Sequence, residues 1–278
     1  MSNPLVSIIM TTYNRAQVLP RAIGSVLNQS FQDFELIIVD DGSTDNTKDV
    51  LKDIESYYGE KWKFNAYGKG PRIIVYHRKE NSADEQKRIG KAVEPTNDGL
   101  KRARGKYIAH FDDDDVYWQD RLLIAVKILE ENPQLDLIYG DFLWALMKDN
   151  KEIYSRACRQ EFSKDKLFNK GNMFSGMEAM YRREVYEKVG EWSFDISGGR
   201  DKRMGRIGAD WDYWKRVCSA GFNIKHIPFI MGVTISKSHP DYLNPNRDFW
   251  KDIKEWDTHD DDVTKDCDAG IGRTVCLR

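Results

Sequence analysis

The chain has 278 residues, with 43 Lys and Arg against 45 Asp and Glu, for a formal net charge of −2. That length fits one large domain or two small ones, and with 40% hydrophobic and 32% charged residues wholesale disorder is not expected. The balanced charge gives no support to a general nucleic-acid binder, and no apolar run approaches the roughly 20 residues that span a bilayer.

The cysteines, Cys158, Cys218, Cys267 and Cys276, are too sparse for a disulfide scaffold or a Cys-rich zinc site. Residues 1–6 lack the basic and apolar regions of a secretory signal. A cytoplasmic protein is expected, with peripheral membrane association left open.

Residues 6–10 (VSIIM) are a continuous apolar run rich in β-branched side chains, ending on Thr11-Thr12-Tyr13-Asn14. Such a run predicts a strand buried on both faces, as in a parallel sheet. Between Gln17 and Gln29 apolar residues recur at helical spacing. Residues 34–39 (FELIIV) predict a second buried strand closing on Asp40-Asp41-Gly42-Ser43, and Asp45 or Thr44 then caps a helix reaching about Tyr57. This β-α-β-α order implies a right-handed parallel unit.

Residues 72–77 (RIIVYH) predict a third strand, and the charged stretch 79–93 an extended or loosely helical insertion. A helix is expected at 97–103, stopped by Gly105. A fourth strand, 107–111 (YIAHF), runs straight into Asp112, Asp113, Asp114 and Asp115. A helix at 119–131 ends before Pro133, and 135–139 predicts another strand. Residues 140–175 alternate short apolar and charged pieces, read as strands and loops covering one face.

Residues 178–189 are expected to be helical, and 198–208 (GGRDKRMGRIG) a mobile basic loop. A helix at 210–220 and a strand at 224–227 follow. The expected division is one domain at 1–245 and an acidic tail at 246–278. The tail carries seven acids and one lysine between Glu255 and Asp268, with a short helix at 250–256.

Ligands of open parallel α/β sheets bind outside the carboxyl ends of the strands. Three polar clusters fall there: Thr11-Thr12-Tyr13-Asn14, Asp40-Asp41-Gly42-Ser43, and the four aspartates. The G-x-G-x-x-G of a dehydrogenase is absent after the first strand, and so is a phosphate-cradling G-x-x-x-x-G-K-[ST] loop. Carboxylates packed this closely repel one another, and a hard divalent cation, Mn²⁺ or Mg²⁺, removes that cost. The competing reading is a solvated acidic turn that also caps the following helix.

Taken together, VSIIMTTYNR, FELIIVDDGSTDNT and YIAHFDDDDVYWQDRL resemble the nucleotide-sugar-binding half of the family 2 glycosyltransferases, which have the GT-A fold. GADWDYWKRVCSAGFNIKHIP resembles the acceptor-side motif of the same family, so the likeness covers about residues 5–240. It implies an α/β fold with a mixed, mainly parallel sheet flanked by helices. It also implies metal-dependent transfer of a sugar from a nucleoside diphosphate sugar, UDP-sugar favoured, to an acceptor hydroxyl, with inversion. The acceptor could be a carbohydrate, a lipid-linked sugar or another hydroxyl compound.

The resemblance assigns roles by position. Thr11, Thr12, Tyr13 and Arg15 fall in the donor loop after the first strand, and Asp41 accepts from the base N–H while Asp40 supports its loop. Asp112 or Asp113 reaches the ribose or diphosphate. Asp114 is the metal ligand, completed by His239, though the run leaves the register open between Asp112-x-Asp114 and Asp113-x-Asp115. Asn97 matches the second member of the family's Arg-Asn pair; the Arg is missing, and Arg78 or Arg88 could supply its charge.

Asp210 falls where the family places its catalytic base, a position that also suits a helix cap, and Asp212 is the fallback. Trp211 is expected near the acceptor, more than Trp118 or Trp192. Arg200, Lys202, Arg203 and Arg206 could close over the diphosphate. The alternatives are a non-catalytic nucleotide-sugar-binding module and a sugar nucleotidyltransferase.

Overall fold

The computed structural model describes residues 3–63, 71–82, 93–148, 151–157, 159–193, 208–236 and 274–276. Its sheet begins as the sequence predicts. Strands β1 (Val6–Thr12), β2 (Phe34–Asp40), β3 (Arg72–His77) and β4 (Tyr107–Asp112) lie parallel in the order β3-β2-β1-β4. Beyond β4 come β8 (Ala179–Arg182), β6 (Leu137–Lys148), β7 (Lys151–Ala157) and β10 (Thr274–Cys276), each antiparallel to its neighbour. Strand β9 (Ile224–Ile235) runs parallel to β6 and also pairs with the two-residue β5 (Val116–Tyr117).

Side-chain alternation divides the core into two layers. On one face Val6, Ile8, Met10, Leu36 and Ile38 meet α1 (Leu19–Leu27) and α4 (Arg121–Glu131), and α2 (Thr47–Lys63) covers the same side. On the other, Ile9, Ile37, Val39 and Ile108 meet Leu100 of α3 (Val93–Arg102) and Tyr213, Trp214 and Val217 of α7 (Ala209–Ser219). Each such residue contributes about 1.5–3 kcal/mol on burial, which is why β1 and β2 read as unbroken apolar runs.

Where α3 hands over to β4, Ser7 Oγ donates to the buried Glu35 carboxylate at 2.7 Å and accepts from Gly105 N at 2.7 Å. A methyl group on Gly105 would stand 2.5 Å from Ser7 N, so only glycine permits this approach.

Three expectations are corrected. Residues 178–189 are not one helix: a 3₁₀ turn (Gly176–Glu178) leads into β8, and only Arg183–Val189 (α6) is helical. Ala179, Met180 and Tyr181 are apolar because they are clamped between β4 and β6, a run too short for periodicity to separate strand from helix. The strands expected at 135–139 and 224–227 continue to Lys148 and Ile235. Pro228 masks the second of these, and the β6–β9 register skips across it, pairing Gly140 with Ile227 but Asp141 with Ile230. Within the expected tail, Thr274–Cys276 joins the edge of the sheet against β7. Helix α5 (Lys164–Asn169) begins with Ser163 as its cap.

Candidate functional site

The carboxyl ends of β1, β2 and β4 lie side by side, with Thr11 paired to Val39 on one flank and to Asp112 on the other. The loop after β1 turns at Asn14, whose φ of 52° is a left-handed conformation that asparagine tolerates. Asn14 Oδ1 accepts from Thr44 N at 2.8 Å, Asn14 N donates to Ser43 Oγ at 2.9 Å, and Arg15 N donates to Thr47 Oγ1 at 2.9 Å. The first loop is thereby tied to the second. Tyr13 is left exposed, Thr11 half-buried and Thr12 buried.

Asp40 is fully buried; its carboxylate meets His77 Nδ1 at 2.8 Å and accepts from Ser43 N at 3.0 Å, holding the second loop in place. Asp41 accepts from Ser82 N at 3.1 Å and Ser82 Oγ at 2.6 Å, with Arg78 Nε 3.0 Å from its Oδ1. Burial raises its pKa, and Ser82 and Arg78 oppose that rise. Arg78, one of the two residues considered for the missing arginine's charge, thus stands at Asp41, and it also pairs with Glu94 at 2.8 Å and with Asp98.

The four aspartates alternate. Asp112 is open to solvent and Asp114 half-buried, whereas Asp113 and Asp115 are buried. Asp115 accepts from Thr234 Oγ1 of β9 at 3.3 Å and so faces inward. Arg15 bridges Asp113 at 3.5 Å and Asp114 at 3.6 Å, and Arg21 Nη2 donates to the Asp114 carbonyl at 3.2 Å.

Desolvation, together with the charges of Asp114, Asp113 and Asp210, pushes the pKa of Asp112 up to about 7. Burial takes Asp113 up to about 6, against the pull of Thr12 and Arg15. Beneath them Arg121 is fully buried, its guanidinium 3.9 Å from the Tyr117 ring centroid, and its Nε and Nη1 find no hydrogen-bond partner among the described residues. The adjacent His110 is held neutral by burial, its pKa pulled down to about 3.

Asp210 stands in the first turn of α7, accepting from Asn172 Nδ2 at 2.8 Å and from Trp211 N at 2.9 Å. Burial raises its pKa, and these two donors favour the charged form. Its charge acts on Asp112, so the α7 carboxylate lies near the aspartate run. Asp212, the fallback, pairs with Arg216 at 2.9 Å and accepts from Ser193 Oγ at 3.1 Å.

Two residues expected at the ligand are engaged in packing. Asn97 is buried and exchanges both ends of its amide with the Trp192 backbone, at 2.9 and 2.8 Å. Trp211 is also buried; its indole N–H donates to the Leu167 carbonyl at 2.6 Å, and Lys215 covers the ring at 4.3 Å from its centroid. Trp192 is buried as well, stacked on Tyr213 with ring centroids 5.0 Å apart. His239, Arg88, the basic residues expected at 198–207 and the helix expected at 250–256 lie outside the described residues.

Among the described residues no three His, Cys, Asp or Glu groups converge as a ready metal site, and no helix is long and apolar enough to cross a membrane. Sequence reasoning missed Arg21, Arg121, Asn172 and the Arg159–Glu178 pair. Only Arg21 left a signal, a cation on the apolar face of α1.

The profile of the family described as "Glycosyl transferase family 2" matches residues 7–190, well over half of the chain. A "PGL/p-HBAD biosynthesis glycosyltransferase" of Mycobacterium bovis is 29% identical over 214 residues, covering 77% of this chain and 69% of that protein. Among solved structures, TarS from S. aureus in complex with UDP-GlcNAc superposes with a TM-score of 0.59 at 18% identity, over 86% of this chain and 60% of that one. The mannosyltransferase PcManGT from Pyrobaculum calidifontis, in complex with GDP-Man and Mn2+, gives 0.57 at 18% identity, over 84% and 57%. This chain thus spans about 60% of the length of such structural neighbours. With the profile, the relatives and the fold in agreement, the chain belongs to the family 2 glycosyltransferases.

Proposed function

We propose that the protein transfers a glycosyl group from a nucleoside diphosphate sugar to an acceptor hydroxyl, with inversion in a single displacement. The observation that carries this reading is that Asp210, at the start of α7, stands near enough to Asp112 at the strand ends for their charges to act on each other. One carboxylate serves the acceptor and the other the donor.

Thr11, Tyr13 and Asp41 hold the nucleotide, UDP being favoured, with Arg78 fixing the Asp41 carboxylate. For the base N–H to reach Asp41, Ser82 must yield its place on that carboxylate. Alternating exposure favours the Asp112-x-Asp114 register, in which Asp114 is the metal ligand and Asp112 reaches the ribose or diphosphate. These hard oxygen donors suit Mn²⁺ or Mg²⁺, and the crowded like charges around Asp112 are what a dication would relieve. Asp114, with His239, would hold it, and when bound it would supply positive charge to the departing diphosphate.

Asp210 accepts the acceptor's hydroxyl proton as the new bond forms. Its raised pKa makes it a better proton acceptor than an ordinary aspartate, while Asn172 and the Trp211 N–H keep its carboxylate aimed. Arg15, already beside Asp113 and Asp114, is in reach of the diphosphate.

The first experiment is a thermal-shift screen of UDP, GDP and dTDP with Mn²⁺; a flat response to all three refutes the donor site. The second is Asp210→Asn, which should abolish transfer and keep the nucleotide shift. Full activity in that variant refutes the base assignment.

A further inference from the structure

Beside Asp210 opens a cavity of about 490 Å³ whose walls include Arg159, Gln160, Lys166, Lys170 and Asn172 and, among the described residues, no acid. That size is in the range of small-molecule sites, about 300–1,000 Å³. We propose that this cavity is the acceptor subsite, and that the acceptor carries an oxyanion, a phosphate or a carboxylate, close to the hydroxyl that is glycosylated. The inference rests on Asp210 being the base and adds the acceptor's chemical class.

Position comes first. Asn172 belongs to both places: it lines the cavity, and its Nδ2 donates to Asp210 at 2.8 Å. A molecule seated there has its nearest hydroxyl beside the carboxylate that must take the proton. In the step the acceptor O–H bond breaks and its proton goes to Asp210. The oxygen forms the new bond to the anomeric carbon, and the anomeric C–O bond to the diphosphate breaks, its electron pair leaving with the nucleotide.

Charge comes second. Arg159 is held rigidly, bidentate on Glu178 at 2.7 and 2.6 Å, with its backbone N donating to Asp141 at 2.6 Å. Glu178 cancels most of its charge, though enough remains to act on Asp210. Lys166 is steered by a neutral partner, the Gln160 side-chain oxygen, so its charge is undiminished. Lys170 is exposed just past α5. Of the acids nearby in the chain, Asp165 accepts from Asn169 and Glu161 is largely exposed.

Two cations with no acid on the same wall are unneeded for a neutral sugar. An anionic acceptor needs them, because it approaches a cleft already crowded with carboxylates. Lysines recognise phosphate and carboxylate as point charges, and Gln160 and Asn172 offer amide donors alongside.

The test uses the full chain with UDP and Mn²⁺ present. Binding of sn-glycerol 3-phosphate, glucuronate, glycerol and glucose is measured by calorimetry on the wild type and on Lys166→Gln/Lys170→Gln. One or both anions should bind, their neutral twins at least tenfold more weakly, and the double variant should weaken the anion about tenfold while retaining its thermal shift with UDP and Mn²⁺. Preference between the anions tells phosphate from carboxylate. Lys170→Glu, an exposed change, should weaken the anion further, and Lys170→Arg should restore it.

Equal binding of glycerol and glycerol 3-phosphate, or an unaffected double variant, overturns the proposal. If UDP, GDP and dTDP all fail to shift the wild type while the anion still binds, the donor reading falls and the acceptor role with it, leaving an anion site of other purpose.

Discussion

Asn172 holds one oxygen of Asp210, so Asn172→Ala isolates the carboxylate's support from the carboxylate itself. The wild-type amide donates at 2.8 Å to the charged form and so favours ionisation. Hydrogen bonds to charged groups are worth about 1.5–3 kcal/mol, and the exposure of Asn172 discounts this to about 1 kcal/mol. The remaining donor, Trp211 N at 2.9 Å, is unaffected, so the carboxylate stays in the first turn of α7.

Losing about 1 kcal/mol of support for the charged form lowers the ionised-to-neutral ratio about fivefold on the acidic limb. Removal of the donor raises the Asp210 pKa further, and the base proposed for it acts in the deprotonated form. Donor hydrolysis, with water as acceptor, is followed from pH 5 to 9. The variant should be slower at the acidic end, by up to about fivefold, and converge on the wild type at the alkaline end. A uniform loss at every pH, or an unmoved acidic limb, refutes the reasoning.

Gly105→Ala drives a methyl group to within 2.5 Å of Ser7 N and 2.6 Å of Val6 C, rigid backbone atoms in the centre of the sheet. It should cost about 1–3 kcal/mol, read from the urea midpoint; an unchanged midpoint refutes that packing. Mn²⁺ should stabilise the protein more at pH 8 than at pH 5. Asp112 and Asp113 have pKa values raised to about 7 and about 6. Folded-state stability from their neutral forms is therefore complete below the ordinary carboxylate range and is lost as pH rises towards 7, where a dication replaces their protons. Equal Mn²⁺ shifts at both pH values refute this.

The parallel half of the fold was legible because β1 and β2 are buried on both faces and show it as unbroken Ile, Leu and Val. The antiparallel half was not. Strand β6 is interrupted by Gly140 and Asp141 before its second apolar run, and in β9 Pro228 reads as a stop although the register simply skips across it. At the site, residues contributed by strand ends were legible from chain order, since the sheet alone brings Thr11, Asp40 and Asp112 together. Partners contributed by distant segments were not: nothing local couples Arg159 to Glu178, or Asn172 to Asp210. Asn97 and Trp211 teach the converse. A motif gives a residue's type and place but not which way it faces, and both turn into the core.

The clamp of β9 on the aspartate loop has a consequence for how the protein comes to life on the ribosome. Val116 and Tyr117 pair with Val233 and Gly232, and Thr234 reaches back across 119 residues to Asp115. The nucleotide-side strands can assemble while the rest of the chain is still being made, but the carboxylate loop is not clamped until β9 has emerged. A nascent chain halted at residue 190 would carry everything the family profile matches, with Asp115 lacking its Thr234 partner and Asp210 not yet made. On the proposed assignment of Asp210 as the base, transfer waits until α7 and β9 have been made, and a chain halted at residue 190 has no such carboxylate with which to spend a nucleotide sugar on water.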